Sequence, residues 1–519
     1  MNWGSRGWMH PLVRCAFALA GGVCLVFAFA PFDQWALGFL APALLFWLWD
    51  DSRPARAALY GLFFGVGLFG FGIYWIVHSI FVVGHEPLFL AWGLVFSLTL
   101  ACAAFIAGAG WTAARLAPHP GFPRYALVLP ALWILAEWVR GWILTGFPWL
   151  DLGYSAVGGV LAQGYAPVLG TLGVSFVLSL TAGLVVASLR LPDPRRRWTA
   201  LAMLSAVWLL APALSAISWT RPAGPPVAVS VVQGDIPQRM KFTPGAWRVG
   251  LARYETLSST LWRPGRVVVW PESAVSTWYE EAEGPLQRLR RRIREKGATL
   301  IAGVFHYDFR NGGRYNSAVR IGSGPVRFYD KHHLVPYGEY FPVPGFVRNW
   351  LRDWKLPHSS FTMGAAVQRP FRVDGRWAGI SICYEDAFGR DIRRSLPYAN
   401  WLINVSDDAW FGRTIGPDQQ FQMARMRALE TGRPLARADN TAISGLIDER
   451  GQVIGRLPPF LPLVLTGHLQ PEAGLTPYDR WGDRPIVVLA LLLLFGGGFW
   501  EALRVRGMPA HGVGAGDVL

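Results

Sequence analysis

Apolar residues are spaced in two different ways along the chain. Uninterrupted apolar stretches of roughly 20 residues, the length that a helix needs to cross a bilayer, recur through the first two fifths and once near the end. They are predicted to be helices, because lipid offers the backbone no other hydrogen-bonding partner. We predict about eight membrane spans, near residues 12–30, 35–50, 57–80, 88–114, 124–143, 165–189, 198–217 and 485–503.

After the seventh span the pattern changes to short β-branched runs separated by Gly, Pro and Asp. We therefore predict three regions: 1–220 with the first seven spans, 221–480 as one extramembrane α/β domain, and 481–519 with the last span and a cytoplasmic tail. Strands are predicted near residues 227–232, 266–270, 299–305, 315–321, 326–329, 379–383 and 401–405.

Two helices are predicted inside this domain. Leu286, Leu289 and Ile293 follow a helical period, and the arginines between them are predicted to form a solvated face. A second helix is predicted to begin after Gly416-Pro417 and to run to about Thr431. Because α/β domains usually place their chemistry at strand ends, polar residues just past apolar runs are the catalytic candidates.

Composition narrows the class of protein. With 52% hydrophobic and 16% charged residues, the chain is too apolar for an ordinary soluble protein. A net charge of +15 would favour binding to nucleic acid. However, most cationic residues lie in loops between apolar stretches or on one helix face, so we expect attraction to anionic lipid and no nucleic-acid partner.

The placement of arginine predicts the orientation, since Lys and Arg near span ends are retained in the cytoplasm. Loops 31–34 and 81–87 carry neither residue, so they are predicted to lie outside. The N-terminus and the C-terminal tail are then cytoplasmic, and the α/β domain lies outside. The arginine-bearing loops are 51–56, 115–124 and 190–197.

Cys383 is the only cysteine of the α/β domain, because Cys15, Cys24 and Cys102 lie in predicted spans. An unpaired thiol is either a small buried hydrophobe or a nucleophile. Cys383 ends an apolar strand and is followed by Tyr384-Glu385-Asp386, which favours the nucleophile. A thiol is mostly protonated at neutral pH, so a base or a cation must lie beside it.

Glu272 and Lys331 are the candidates for these partners. Glu272 follows the apolar run 267–271 and could accept the thiol proton, although a Glu after a strand is usually only solvated. Lys331 follows the strand-like run 326–330 and is one of only four lysines. Scarce lysine suggests a site that needs a compact charge, although codon bias would also explain the scarcity.

The contexts of these residues resemble the nitrilase superfamily, in Val269-Trp270-Pro271-Glu272-Ser273, Tyr329-Asp330-Lys331-His332-His333-Leu334 and Ile382-Cys383-Tyr384-Glu385. The resemblance implies an α-β-β-α sandwich. It also implies that Glu272 is the proton acceptor, Lys331 stabilises the oxyanion and Cys383 is the acylated nucleophile.

With the membrane spans added, the whole chain resembles the apolipoprotein N-acyltransferases. This resemblance implies that Glu339, Tyr384 and Glu385 support the site. It implies transfer of an acyl group from a phospholipid through a Cys383 thioester to the α-amino group of a diacylglyceryl-cysteine, the last step of lipoprotein maturation. Segments 146–149, 232–238, 335–340, 406–411 and 422–428 contribute to the resemblance.

The implied partners are a phospholipid donor, a diacylglyceryl apolipoprotein acceptor and the lipid bilayer. We expect no cofactor, no metal and a monomer, in the bacterial cytoplasmic (inner) membrane with the catalytic domain on the periplasmic side. The apolar loop 341–347 with Trp350-Leu351 is predicted to cover the active site.

Two alternatives use the same features differently. A membrane-anchored nitrilase-type amidase needs the same triad, but a single span would suffice to tether it. A transporter with an appended domain could use Glu137 and Arg140 in the fifth span, although their i, i+3 spacing more simply predicts a mutual ion pair.

Overall fold

The computed structural model describes residues 10–340 and 361–506. In these residues, four helices are long and apolar enough to cross a membrane: Pro54–Gly72, Leu88–Leu116, Val160–Arg190 and Pro194–Ser215. The other predicted spans contain the helices Pro11–Val26, Leu37–Leu48, Leu129–Arg140 and Arg484–Arg506. A multi-helical apolar region is therefore present, and the count of eight spans stays a prediction.

Several helices end before the predicted spans do. The long helix in the span predicted at 57–80 ends at Gly72, and a short helical turn at Ile76–His78 leads into a π-helical turn at Ser79–Val83. The carbonyl of Gly72 accepts a hydrogen bond from Gln419 Nε2 at 3.1 Å, so the α/β domain supplies a partner for this helix end. The span predicted at 12–30 likewise ends as a helix at Val26.

The arginine-bearing loops meet at one end of the helical region. Asp50 Oδ2 lies 3.5 Å from Arg190 Nε, and Asp50 Oδ1 lies 3.9 Å from Arg124 Nε. Tyr125 also donates to Asp50 at 2.7 Å. At the opposite end, the N–H of Ala30 donates to Gln422 of the α/β domain at 3.3 Å. The arginine-rich end and the α/β domain therefore lie at opposite ends of the helices.

The α/β domain contains two large sheets. In the first, Val227–Gln233, Val267–Val269 and Thr299–Asp308 pair in parallel. Its order is Leu463–Leu469, Val227–Gln233, Val267–Val269, Thr299–Asp308, Gly313–Ile321 and Arg327–Asp330, with Val275–Trp278 beside Thr299–Asp308. In the second, the order is Val453–Arg456, Gly445–Ile447, Leu435–Asp439, Trp401–Ser406, Arg376–Ile382 and Phe371–Val373.

Four layers follow from the burial of alternate strand residues. Val229 and Val231 of the first sheet share one apolar cluster with Ile380 and Ile403 of the second, so the two sheets pack face to face. The outer face of the first sheet packs against the helices Ala246–Leu257 and Glu283–Glu295, and that of the second against Gly416–Thr431. The domain is thus an α-β-β-α sandwich, as predicted.

The seven predicted strands and both predicted helices are present, with ends shifted by up to a few residues. Leu286, Leu289 and Ile293 are the buried residues of Glu283–Glu295, which confirms the predicted apolar stripe. The helix Ala246–Leu257 was not predicted. The strands Val275–Trp278 and Phe371–Val373 and those that follow residue 430 were also missed. Most of them have five residues or fewer, which carry almost no periodicity, although Leu463–Leu469 has seven.

Candidate active site

Glu272 is delivered to the site by the buried strand Val267–Val269 and is itself 6% exposed. Its Oε1 accepts hydrogen bonds from Asn316 Nδ2 at 2.7 Å and from Lys331 Nζ at 3.3 Å. The next residue, Ser273, has a positive φ of 49°, so the chain turns sharply just after the carboxylate. Glu272 is therefore a fixed carboxylate within a polar network.

Lys331 lies directly after the strand Arg327–Asp330 and is 1% exposed. Its Nζ donates to Glu339 Oε1 at 3.0 Å as well as to Glu272. Burial lowers the pKa of Lys331, but Glu272 and Glu339 outweigh burial and raise the pKa above its usual value. Lys331 is thus a permanent buried cation held between two carboxylates.

Cys383 follows the strand Arg376–Ile382 with a φ of +50°. This left-handed backbone is strained for a residue with a side chain, at a cost of about 1–3 kcal/mol, and such strain is common at active sites. The Sγ atom accepts a hydrogen bond from Gln420 Nε2 at 3.6 Å. The strand therefore ends by turning its thiol toward a buried polar partner.

The charges of Glu272 and Lys331 shift the pKa of the Cys383 thiol in opposite directions. Burial, and next the charge of Glu272, raise the pKa of Cys383 well above its usual value, while Lys331 lowers it. Cys383 therefore rests as a thiol and needs a base to become a nucleophile. This arrangement of a carboxylate, a cation and a cysteine can acylate the sulfur and stabilise the oxyanion that forms.

Comparison with known proteins identifies the family. Residues 21–184 match the apolipoprotein N-acyltransferase N-terminal domain, and residues 229–478 match the carbon-nitrogen hydrolase family. The apolipoprotein N-acyltransferases of Methylococcus capsulatus and Nitrosomonas europaea are 39% and 40% identical to this chain, over 95% and 94% of it and 97% and 98% of their own lengths. That of Azotobacter vinelandii is 40% identical over 98% of this chain and 97% of its own.

The chain belongs to the apolipoprotein N-acyltransferase family.

Glu385 ties the nucleophile to the Lys331 loop in this family member. Its Oε1 accepts from the N–H groups of His332 and His333 at 2.8 and 3.1 Å, and its Oε2 accepts from the N–H of Ile382 at 2.8 Å. Burial raises the pKa of Glu385 to about 7, against the lowering effect of these backbone N–H groups. Glu385 touches backbone on both sides of the site, so its contacts are those of a positioning residue.

Tyr384 connects the site to the apolipoprotein N-acyltransferase N-terminal domain. Its hydroxyl donates to the carbonyl of Gly146 at 3.1 Å, and its ring stacks on Trp149 with a centroid distance of 6.4 Å. Both partners lie in segment 146–149, which sequence analysis associated with the family. The residue after the nucleophile therefore contacts the helical half of the protein.

The helix Gly416–Thr431 makes further contacts with that half. Gln419 Oε1 accepts from the indole N–H groups of Trp75 and Trp149 at 3.1 and 2.7 Å. Arg427 donates to Thr171 at 2.7 Å and pairs with Glu430 at 3.1 Å. One helix of the sandwich therefore carries both a contact to Cys383 and the junction with the apolar helices.

The predicted pair between Glu137 and Arg140 is not the one formed. Arg140 pairs with Asp151 at 2.5 Å, while Glu137 accepts from Trp133 Nε1 at 2.7 Å and from the N–H of Leu152 at 2.9 Å. Two of these partners, Asp151 and Leu152, lie beyond the end of the helix Leu129–Arg140, so the spacing of charges along that helix cannot reveal them.

Sequence reasoning missed several polar residues of the site. Asn316 joins Glu272 and Glu339 by donating to both at 2.7 Å. Lys241 donates to the carbonyl of Glu272 at 3.0 Å and to Asp407 at 2.5 Å, and is 3% exposed. The scarcity of lysine, used for Lys331, was also a signal for Lys241.

A second ionic cluster lies behind the nucleophile strand. Arg437 is fully buried and pairs with Asp408 at 2.8 Å, Asp386 at 3.4 Å and Asp439 at 3.5 Å. Burial lowers the pKa of Arg437, and the carboxylates raise it above its usual value by more. One guanidinium therefore faces three carboxylates, and these ion pairs brace the strands that carry the site. The predicted lid, 341–347 with Trp350-Leu351, lies outside the described residues.

Proposed function

We propose that the protein transfers a fatty acyl group from a phospholipid to the α-amino group of the N-terminal diacylglyceryl-cysteine of a lipoprotein. The observation that carries this proposal is the joint between the two matched domains. Tyr384, next to the nucleophile, donates to Gly146 of the acyltransferase-specific N-terminal domain. A site built against apolar helices suits a lipid donor better than a soluble amide.

The reaction is proposed to have two halves. Glu272 accepts the Cys383 proton, the thiolate attacks the ester carbonyl of the phospholipid, and the tetrahedral intermediate collapses to a thioester as Glu272 protonates the departing lysophospholipid. The amine then attacks the thioester, Glu272 takes its proton, the C–S bond breaks, and Glu272 returns the proton to the leaving thiolate. The ester itself supplies the acyl group, so this sequence uses no cofactor.

The contribution of each residue follows from its contacts. General acid–base catalysis by Glu272 is worth roughly 10²–10⁴-fold. Lys331, held by Glu272 and Glu339, would donate to the oxyanion, a contribution of about 2.7–4 kcal/mol. Glu385 and Tyr384 would hold the nucleophile loop in place.

We also propose eight membrane crossings, with the sandwich on the periplasmic side of the bacterial inner membrane. The contacts of Asp50 with Arg124 and Arg190 gather the arginine-rich loops at the end opposite the sandwich, which supports a cytoplasmic location for those loops. Alkaline phosphatase, active only outside the cytoplasm, would be fused within loops 51–56 and 81–87. Activity in the first fusion and none in the second would reverse the orientation.

The function is tested by following a labelled acyl chain. Purified wild-type protein would be incubated with labelled phospholipid, the acyl-enzyme trapped, and a diacylglyceryl-cysteine peptide added. We expect label on Cys383 that moves to the peptide amine, no label in Cys383→Ser, and full labelling in Cys24→Ser, whose cysteine is exposed and distant in sequence. Label that passes only to water, or hydrolysis of a simple amide without labelling, would support the anchored amidase instead.

A further inference from the structure

The side chain of Gln420 is a buried amide, and in the part of the chain that the structure describes its NH₂ group is hydrogen-bonded but its oxygen is not. It lies in the helix Gly416–Thr431, is 1% exposed, and donates from Nε2 to Cys383 Sγ at 3.6 Å. Its Oε1 is buried and has no hydrogen-bond partner in residues 10–340 and 361–506. Buried amide oxygens are almost always bonded, so this oxygen is suited to a donor that arrives with a ligand.

The unpaired oxygen lies near the reacting sulfur. Nε2 and Oε1 are attached to one carbon and are about 2.3 Å apart, so Oε1 lies within about 6 Å of Sγ. The helix is held in place one residue earlier, where Gln419 bonds to Trp75, Trp149 and Gly72. The Gln420 side chain is thus held in place, with Nε2 donating to Cys383 Sγ and Oε1 close to the same sulfur.

We propose that Gln420 is a further catalytic residue, whose Nε2 stabilises the Cys383 thiolate and whose Oε1 accepts an N–H of the attacking amine. The second role rests on the acyl-transfer function proposed above. The first role concerns the thiolate alone and holds for any acyl donor.

The two roles fit the two halves of the reaction. In the first half, Glu272 takes the Sγ proton and the Nε2–H bond stabilises the negative sulfur until the S–C bond forms. The ester C–O bond then breaks, and Glu272 gives that proton to the departing lysophospholipid. In the second half, the C–N bond forms and the C–S bond breaks. One amine proton goes to Glu272, the other is held by Gln420 Oε1, and the leaving thiolate again accepts from Nε2.

The thiolate role is tested by the pH dependence of alkylation. The full-length protein in detergent would be treated with iodoacetamide over a range of pH, and modification of Cys383 followed by mass spectrometry. Gln420→Met removes a hydrogen bond to a charged sulfur, so the midpoint should move to higher pH by about one to two units. The matched control is Gln422→Met, since Gln422 is equally buried on the same helix but accepts from Ala30. Its midpoint should not move.

The amine role is tested in a single turnover. Acyl-enzyme would be prepared with labelled phospholipid, and its reaction with a diacylglyceryl-cysteine peptide timed at the same pH for all variants. We expect Gln420→Met to slow this step by at least tenfold and Gln422→Met to leave it unchanged. Wild-type acyl-enzyme that reacts only with water would refute the proposed function while leaving the alkylation result intact.

An unchanged alkylation midpoint in Gln420→Met would refute the thiolate role, and an unchanged aminolysis rate would refute the amine role. Should Gln420→Met fail to fold, Gln420→Asn keeps a buried amide but withdraws it by about 1.5 Å, one bond length. Wild-type values in both measurements for Gln420→Asn would equally overturn the proposal, and shifts in the same direction would support it.

Discussion

At the scale of single residues, the site consists of charges that are buried and fixed. Glu272, Lys331 and Glu339 form one hydrogen-bonded group, with Asn316 donating to both carboxylates. Glu272 and Lys331 are 6% and 1% exposed and are held by these hydrogen bonds. A substitution that keeps the shape of the side chain but removes its charge should therefore change the chemistry without preventing folding.

Glu272→Gln keeps the shape of the side chain but cannot accept a proton at neutral pH. We expect thioester formation to slow by roughly 10²–10⁴-fold, the usual worth of a general base. Release of lysophospholipid in a single turnover would measure this step. Glu295→Gln, at an exposed position, is the control. A rate within threefold of wild type would mean that another group accepts the proton.

Glu385 makes the stability of the site depend on pH. Burial raises its pKa to about 7 in the folded protein, from about 4.5 when solvated. The folded state therefore binds more protons between these values, and its stability should fall as pH rises from about 4.5 to 7, by of order 3 kcal/mol.

Comparison with Glu385→Gln isolates this contribution, because the variant cannot titrate. The melting temperature of each protein would be measured in detergent from pH 4.5 to 7.5. The wild-type value should drop more steeply with pH than that of Glu385→Gln. Parallel curves would show that Glu385 is not the titrating group.

At the scale of elements, the helix Gly416–Thr431 is the part that sequence reasoning located but could not interpret. Its extent was predicted, and its contacts were not. Nearly all of its residues are buried, because one side packs on the second sheet and the other on the membrane helices. Its apolar residues Phe421, Ala424 and Ala428 pack on the second sheet. Its contacts with the membrane helices come from polar side chains, which an apolar period does not reveal.

Gln419 is the residue of this helix that joins the two halves. Gln419→Leu leaves the indole N–H groups of Trp75 and Trp149 and the carbonyl of Gly72 without their partner. We expect a loss of stability of about 1–3 kcal/mol per group that stays unsatisfied. In a Trp75→Phe background the same substitution should cost less, because one donor is already gone. Purely additive losses in this double-mutant cycle would refute the coupling.

At the scale of the whole molecule, the junction between the helices and the sandwich decides the geometry. The helix Val160–Arg190 is interrupted at Gly170, which has φ 70° and ψ −171°. A Cβ at this position would lie 2.3 Å from Cε2 of Tyr478 in the α/β domain. Glycine is required here both for its backbone and for the close approach.

Gly170→Ala should therefore lower the free energy of unfolding by several kcal/mol. Acyl transfer should fall together with stability. Gly108→Ala is the matched control, since a Cβ there meets nothing within 4 Å. Thermal unfolding in detergent would compare the two. Equal melting temperatures would mean that the kink at Gly170 is not needed for the two halves to pack.

The features that depend on the local order of residues could be predicted from the chain alone. Runs of apolar residues predicted the helical region, and β-branched runs predicted seven strands. Motif resemblance named Glu272, Lys331 and Cys383, and the family comparison agrees with the fold and activity that this resemblance implied.

Contacts between residues from separate elements could be seen only in the folded chain. Gln420, Asn316 and Lys241 reach the site from separate elements, and Arg140 pairs with a loop residue and not with its helical neighbour. A buried polar group needs a hydrogen-bonding partner among the groups that pack against it. Those partners are fixed by packing between elements, which periodicity and spacing do not encode.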